Sequence, residues 1–145
     1  MLETIAKWLH WLKKATEKDD ERLGHVYSDG EQLWATNGYV LHALDVATGR
    51  RGRVTAGEDG GLQIEKEGDL PPFAGALPQG QLHASIVVSA ESLRNAAEGQ
   101  EDFVRLSIYG EPEALELSSG GKYALVMAMT GVQEWWFWRP EKAST

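Results

Sequence analysis

Leu2, Ile5, Leu9 and Leu12 recur at spacings of three, four and three, which places them on one stripe of an α-helix. Glu3 near its start and Lys13 and Lys14 near its end suit the helix dipole. Beyond a charged run over residues 17–22 the period changes. Residues 25–28, 32–36 and 39–46 are short apolar-rich segments separated by Asp29-Gly30 and Asn37-Gly38. These dipeptides accept the positive φ of type I′ turns, so the pattern predicts a three-stranded meander. Residues 53–56 and 62–66 flank the glycine-rich stretch 57–61 and predict a further hairpin.

Residues 68–81 contain Pro71, Pro72 and Pro78 and read as an irregular connection between two halves of the chain. The second half opens with residues 82–88, β-rich and alternating. Ser89 offers an N-cap, Glu91 lies in the first turn, and Gly99 follows a short helix through Leu93, Ala96 and Ala97. Three more strands are predicted at 103–109, 114–118 and 123–130, and an edge strand at 135–139. The halves repeat in order: helix, strand, Gly-Glu turn, strand, glycine-containing turn, strand. Gly30-Glu31 answers Gly110-Glu111, and residues 39–44 answer 123–128. The expected fold is α+β, two helix-plus-three-strand units with the helices packed on antiparallel sheets. Residues 1–131 form the predicted domain and 132–145 a tryptophan-rich strand or tail.

Composition narrows the chemistry. Fourteen basic against 22 acidic residues give a net charge of −8 over 145 residues, with no cysteine. A thiol nucleophile, a disulfide framework and a thiolate zinc site are thereby excluded, and cytoplasm is the expected compartment. The apolar runs at 124–129 and 135–138 are far shorter than the roughly 20 residues of a membrane-spanning helix. No membrane partner is expected. Lys7, Lys13 and Lys14 within or just after the first apolar stretch, with no small-residue cleavage site following, argue against a signal peptide. His10, His25, His42 and His83 have no metal-ligand spacing, and no nucleophile elbow, P-loop, dinucleotide fingerprint or zinc-protease motif occurs. Neither an enzyme activity, a cofactor nor a metal is expected. A small enzyme with a spatially assembled site is the least favoured alternative.

Several segments carry a resemblance. Leu33-Trp34-Ala35-Thr36-Asn37-Gly38-Tyr39-Val40-Leu41 resembles the A-T-D-G-H-R-L segment of the bacterial DNA polymerase III beta sliding clamp, the processivity factor built as a ring of repeated domains. Leu70-Pro71-Pro72-Phe73-Ala74-Gly75-Ala76-Leu77-Pro78 resembles its F-P-x-Y-x-x-x-L-P segment. Tyr123-Ala124-Leu125-Val126-Met127-Ala128-Met129 resembles its closing Y-V-V-M-P-M, with Val104-Arg105-Leu106-Ser107-Ile108 between. Ala128 stands where the family has proline, and Tyr39-Val40 replaces His-Arg.

The resemblance implies a bacterial or phage DNA-replication or repair accessory that self-associates and holds short hydrophobic peptide motifs of replication or repair proteins. Its pocket would draw on Thr36, Gly38, Tyr39, Leu41, Pro78, Leu125, Val126, Met127 and Met129. At strand spacing Leu125, Met127 and Met129 fall on one face, and such residues are more often core than pocket. Possible DNA-facing residues are Lys7, Lys13 and Lys14 on the first helix and the cluster Arg50, Arg51 and Arg53. Gln133, Trp136 and Phe137 resemble the peptide motif that clamps bind, so this segment either docks in a clamp-like pocket or forms the edge strand. One chain of this length is expected to hold one clamp-like domain, and a ring would need about six copies or a partner supplying the rest. The alternative is a monomeric or dimeric regulatory domain of the same fold that encircles no DNA.

Overall fold

A computed structural model describes residues 2–66 and 70–137. The chain divides between Leu77 and Pro78 into two compact units, each built from one α-helix and one antiparallel sheet. The fold is α+β.

In the first unit α1 (Leu2–Lys13) precedes β1 (Val26–Asp29), β2 (Gln32–Thr36), β3 (Leu41–Asp45), β4 (Arg51–Ala56) and β5 (Leu62–Lys66). The predicted meander and the predicted hairpin join in one sheet of order β3-β2-β1-β4-β5. This unit therefore has five strands on its helix, not three. The join is the pairing of β1 with β4, from Val26 opposite Val54 to Asp29 opposite Arg51. On the other side of β4, Gly52 lets β5 approach: a Cβ there would collide with the Glu65 carbonyl on β5, so this position needs a residue without a side chain.

Both faces of this sheet are covered. Ile5, Leu9 and Leu12 of α1 pack on Val26, Leu33, Ala35 and Val54, the helical three-four spacing meeting the two-residue period of the strands. On the opposite face Tyr27 and Trp34 pack with Phe73, which arrives on the proline-containing segment after β5. The Trp34 and Phe73 rings stack at 5.1 Å and 17°. A fully buried leucine such as Leu12 or Leu33 contributes about 1.5–3 kcal/mol relative to exposure.

In the second unit α2 (Ala90–Glu98) precedes β6 (Arg105–Gly110), β7 (Glu113–Ser119) and β8 (Lys122–Met127), paired in that order. Ser89 caps α2 as its sequence predicts, its Oγ accepting the Ser92 N–H at 3.2 Å. The core lies between helix and sheet, where Leu93 and Ala96 meet Leu115, Leu117 and Val126. Residues 82–88 form no strand. Within them the Val87 carbonyl accepts the Met129 N–H at 2.7 Å, and Ile86 and Val88 pack on the core. The predicted edge strand at 135–139 is also absent as far as residue 137. A 3-10 turn, Glu134–Trp136, occupies its place, with Trp138 and Arg139 outside the described residues.

Candidate functional site

The expected pocket residues divide between the units, four in the first and five in the second. In the first unit, Thr36 and Gly38 build a turn. Thr36 Oγ1 donates to the Val40 carbonyl at 2.7 Å and accepts the Gly38 N–H at 3.0 Å. Asn37 Oδ1 accepts the N–H groups of Tyr39 and Val40, both at 2.9 Å. Gly38 sits at φ +92°, where a side chain is strained. This side-chain bonding ends the strand early, so Tyr39 and Val40, predicted to begin the next strand, form the turn tip. Tyr39 is 96% exposed, whereas Leu41 packs on the Tyr27, Trp34 and Phe73 cluster.

In the second unit the register defines two faces. Leu106 and Ile108 of β6 stand across from Leu117 and Leu115 of β7, which in turn face Ala124 and Val126 of β8. This is the helix side, and Val126, 5% exposed, belongs to its core. The outer side carries Arg105, Ser118 and Tyr123 in one row, then Ser107, Glu116 and Leu125, then Tyr109, Ala114 and Met127. Leu125 is 53% exposed, Met127 52% and Met129 50%. Three of the five second-unit pocket residues thus present an apolar strip to solvent, and Pro78 is exposed as well. A groove of about 670 Å³ opens at the Arg105 end of this sheet, with Phe103, Lys122 and Tyr123 on its walls.

The proposed DNA-facing residues differ in their surroundings. Lys7, Lys13 and Lys14 are exposed along α1 and just beyond it. In the arginine cluster, Arg51 lies across from Asp29 and Arg53 across from Glu65. Opposite charges so placed attract one another, and the local field of the cluster is correspondingly reduced. Arg50 is exposed outside the strand. Of the tail residues, Gln133 precedes the 3-10 turn, while Trp136 and Phe137 are exposed and lie at its end.

Among the described residues no group of three or more histidines, cysteines or acids could hold a metal. The carboxyl of Asp20 is held below its ordinary value because the backbone N–H groups of Leu23 and Arg22 donate to it. Those bonds, at 2.8 and 2.7 Å, close an exposed loop after α1 and fit a structural turn rather than acid-base chemistry. No described helix is long and apolar enough to cross a membrane.

Two features, one in each unit, escaped the sequence reading. His42 stacks on Trp11 at 4.2 Å and 13°, with Nδ1 2.9 Å from the Trp11 carbonyl oxygen. The contact joins positions 31 residues apart and leaves no local pattern. The exposure of Leu106 and Ile108 depends on how much of the sheet α2 covers, which strand alternation does not encode. Comparison with family models, curated proteins and solved structures found no match to the chain.

Proposed function

We propose that the protein is a non-enzymatic interaction module of the sliding-clamp type, an accessory of DNA replication or repair. Its β8 strand holds short peptide motifs bearing leucine and phenylalanine anchors. The carrying observation is the half-exposure of Leu125 and Met127 on β8 and of Met129 just beyond it, while the intervening Val126 is locked in the core. The buried residue fixes the strand while its neighbours offer an apolar, adaptable strip, since methionine reshapes at low cost around an incoming side chain. The same segment is the one that resembles the clamp's closing sequence. A cytoplasmic location and DNA contact through Lys7, Lys13 and Lys14 belong to this proposal.

The test is fluorescence anisotropy with a fluorescein-labelled peptide in which glutamine precedes leucine and phenylalanine anchors. The wild-type protein is expected to bind it saturably. Leu125→Asp and Met127→Asp are expected to weaken binding about tenfold or more each, because a buried leucine or methionine side chain is worth roughly 1.5–3 kcal/mol and 1.4 kcal/mol is tenfold. Circular dichroism of both variants should match wild type, their side chains lying outside the core. No saturable binding by the wild-type protein, or equal binding by both variants, overturns the reading.

A further inference from the structure

We infer that Asn37 is a self-modification site, at which the side chain cyclises onto Gly38, loses ammonia and reopens to aspartate with the turn intact. The step needs a side-chain amide, a following backbone nitrogen that can approach it closely, and water; glycine after the asparagine removes the side chain that would obstruct the approach. The Gly38 nitrogen gives its proton to hydroxide and attacks Asn37 Cγ. A bond forms between that nitrogen and Cγ, the Cγ–Nδ2 bond breaks, and Nδ2 leaves as ammonia with a proton from water, which regenerates the hydroxide. Water then opens the five-membered imide. Entry at Cγ restores the main chain with aspartate at this position, whereas entry at the main-chain carbonyl of residue 37 gives isoaspartate, with an extra methylene in the backbone.

The turn favours the first outcome. Gly38 is exposed, and a Cβ placed on it meets nothing within 4 Å, so water reaches the site. Asn37 Oδ1 accepts the N–H groups of Tyr39 and Val40, both at 2.9 Å. This is an oxyanion-donor distance, and Oδ1 is the oxygen that gains negative charge when Cγ is attacked. On reopening, the same donors activate the Cγ carbonyl over the main-chain one. The Gly38 N–H is held by Thr36 Oγ1 at 3.0 Å, a bond that must break before the nitrogen attacks; it slows the step without changing which carbonyl water enters. The aspartate form of this turn already exists between β1 and β2. There Asp29 Oδ1 accepts the N–H groups of Glu31 and Gln32 at 2.9 and 2.7 Å, and Ser28 Oγ accepts the Gly30 N–H at 3.1 Å. Gly30 and Gly38 have φ of +101° and +92°. Ser28-Asp29-Gly30 thus repeats the bonds of Thr36-Asn37-Gly38 with a carboxylate in place of the amide. A carboxylate at residue 37 meets the same two donors, and its charge strengthens both bonds. Conversion adds one negative charge beside Thr36, Tyr39 and Leu41. It involves the first unit alone and stands whether or not β8 holds a peptide.

The test is peptide mapping of the full chain after incubation at mildly alkaline pH. Residue 37 should gain about 1 Da, NH2 being exchanged for OH. Asn95, the other asparagine, lies within α2 and is followed by Ala96, and should keep its mass. The chain unfolded in guanidinium chloride supplies the reference, and electron-transfer fragmentation separates aspartate from isoaspartate. The ratio of aspartate to isoaspartate at residue 37 should be about tenfold higher from the folded chain, since a well-placed oxyanion donor is worth about 10²–10³ in rate. Asn37→Asp should melt no lower than the wild type at neutral pH. An Asn37 still intact in the folded chain once the unfolded chain has converted completely overturns the inference. So does a product ratio no higher from the folded chain than from the unfolded one, or an Asn37→Asp variant that melts below the wild type.

Discussion

Ser28 is the fully buried polar side chain of the first sheet, and its surroundings explain why a hydroxyl is stable there. Its Oγ lies 2.7 Å from Thr48 Oγ1 and 2.8 Å from the Arg50 carbonyl oxygen, and it accepts the Gly30 N–H at 3.1 Å. Ser28→Ala strands the Gly30 donor, while Thr48 still serves the Arg50 carbonyl at 3.0 Å. The expected loss is about 1–2 kcal/mol, within the range for a buried hydrogen bond broken from one side. Urea denaturation, with the midpoint shifted and the slope unchanged, checks it. At this scale the sequence was only partly legible. Asp29-Gly30 marked the turn beside Ser28 correctly, but that Thr48 and Arg50 return to the same hydroxyl depends on a tertiary approach. The Asn37-Gly38 signal located its turn too, yet the two bonds made by Asn37 Oδ1 moved Tyr39 and Val40 out of the strand.

Among the elements, strongly periodic segments were the most legible. The stripe of Leu2, Ile5, Leu9 and Leu12 marked α1, and Ser89 with Gly99 bracketed α2. Elements defined by partnership were harder to read. Residues 82–88 have strand chemistry, but a ladder needs a neighbour, and the bond between Met129 and Val87 anchors them at one point only. Aromatic β-propensity at 135–137 yields likewise to a local 3-10 turn. α2 buries no residue completely, with Leu93 and Ala96 half-buried, so its nine residues depend heavily on the cap. Ser89→Ala is expected to cost about 1 kcal/mol, inside the 0.5–2 kcal/mol span of N-cap losses. Thermal melts followed by helical circular dichroism measure it. Because α2 covers Leu115, Leu117 and Val126, amide exchange along β7 should quicken in the same variant.

For the molecule as a whole, the internal repeat pointed to two helix-and-sheet units, and the chain does divide after Leu77. Strand number escaped the repeat because β4 and β5 add to the first sheet without a counterpart in the second. The exposed stretch 78–85, with Leu82 open to solvent, should be a primary cleavage site for thermolysin, which cuts before bulky apolar residues. Mass spectrometry at early times should show two fragments of similar size meeting near residue 82. Primary cleavage confined to β1 or β2 would contradict the two compact units. The exposure of Leu125 and Met127 was not legible in the sequence, since alternation along β8 cannot say which parity faces the helix. The helix covering one side of the second sheet then separates two kinds of evolutionary freedom on a single strand. Val126 and Ala124 are answerable to volume and change only with their packing neighbours, whereas Leu125 and Met127 are answerable to whatever they touch. If β8 holds peptides as proposed, their specificity can drift, or be redesigned, through every second residue of β8 while the scaffold beneath it stays the same.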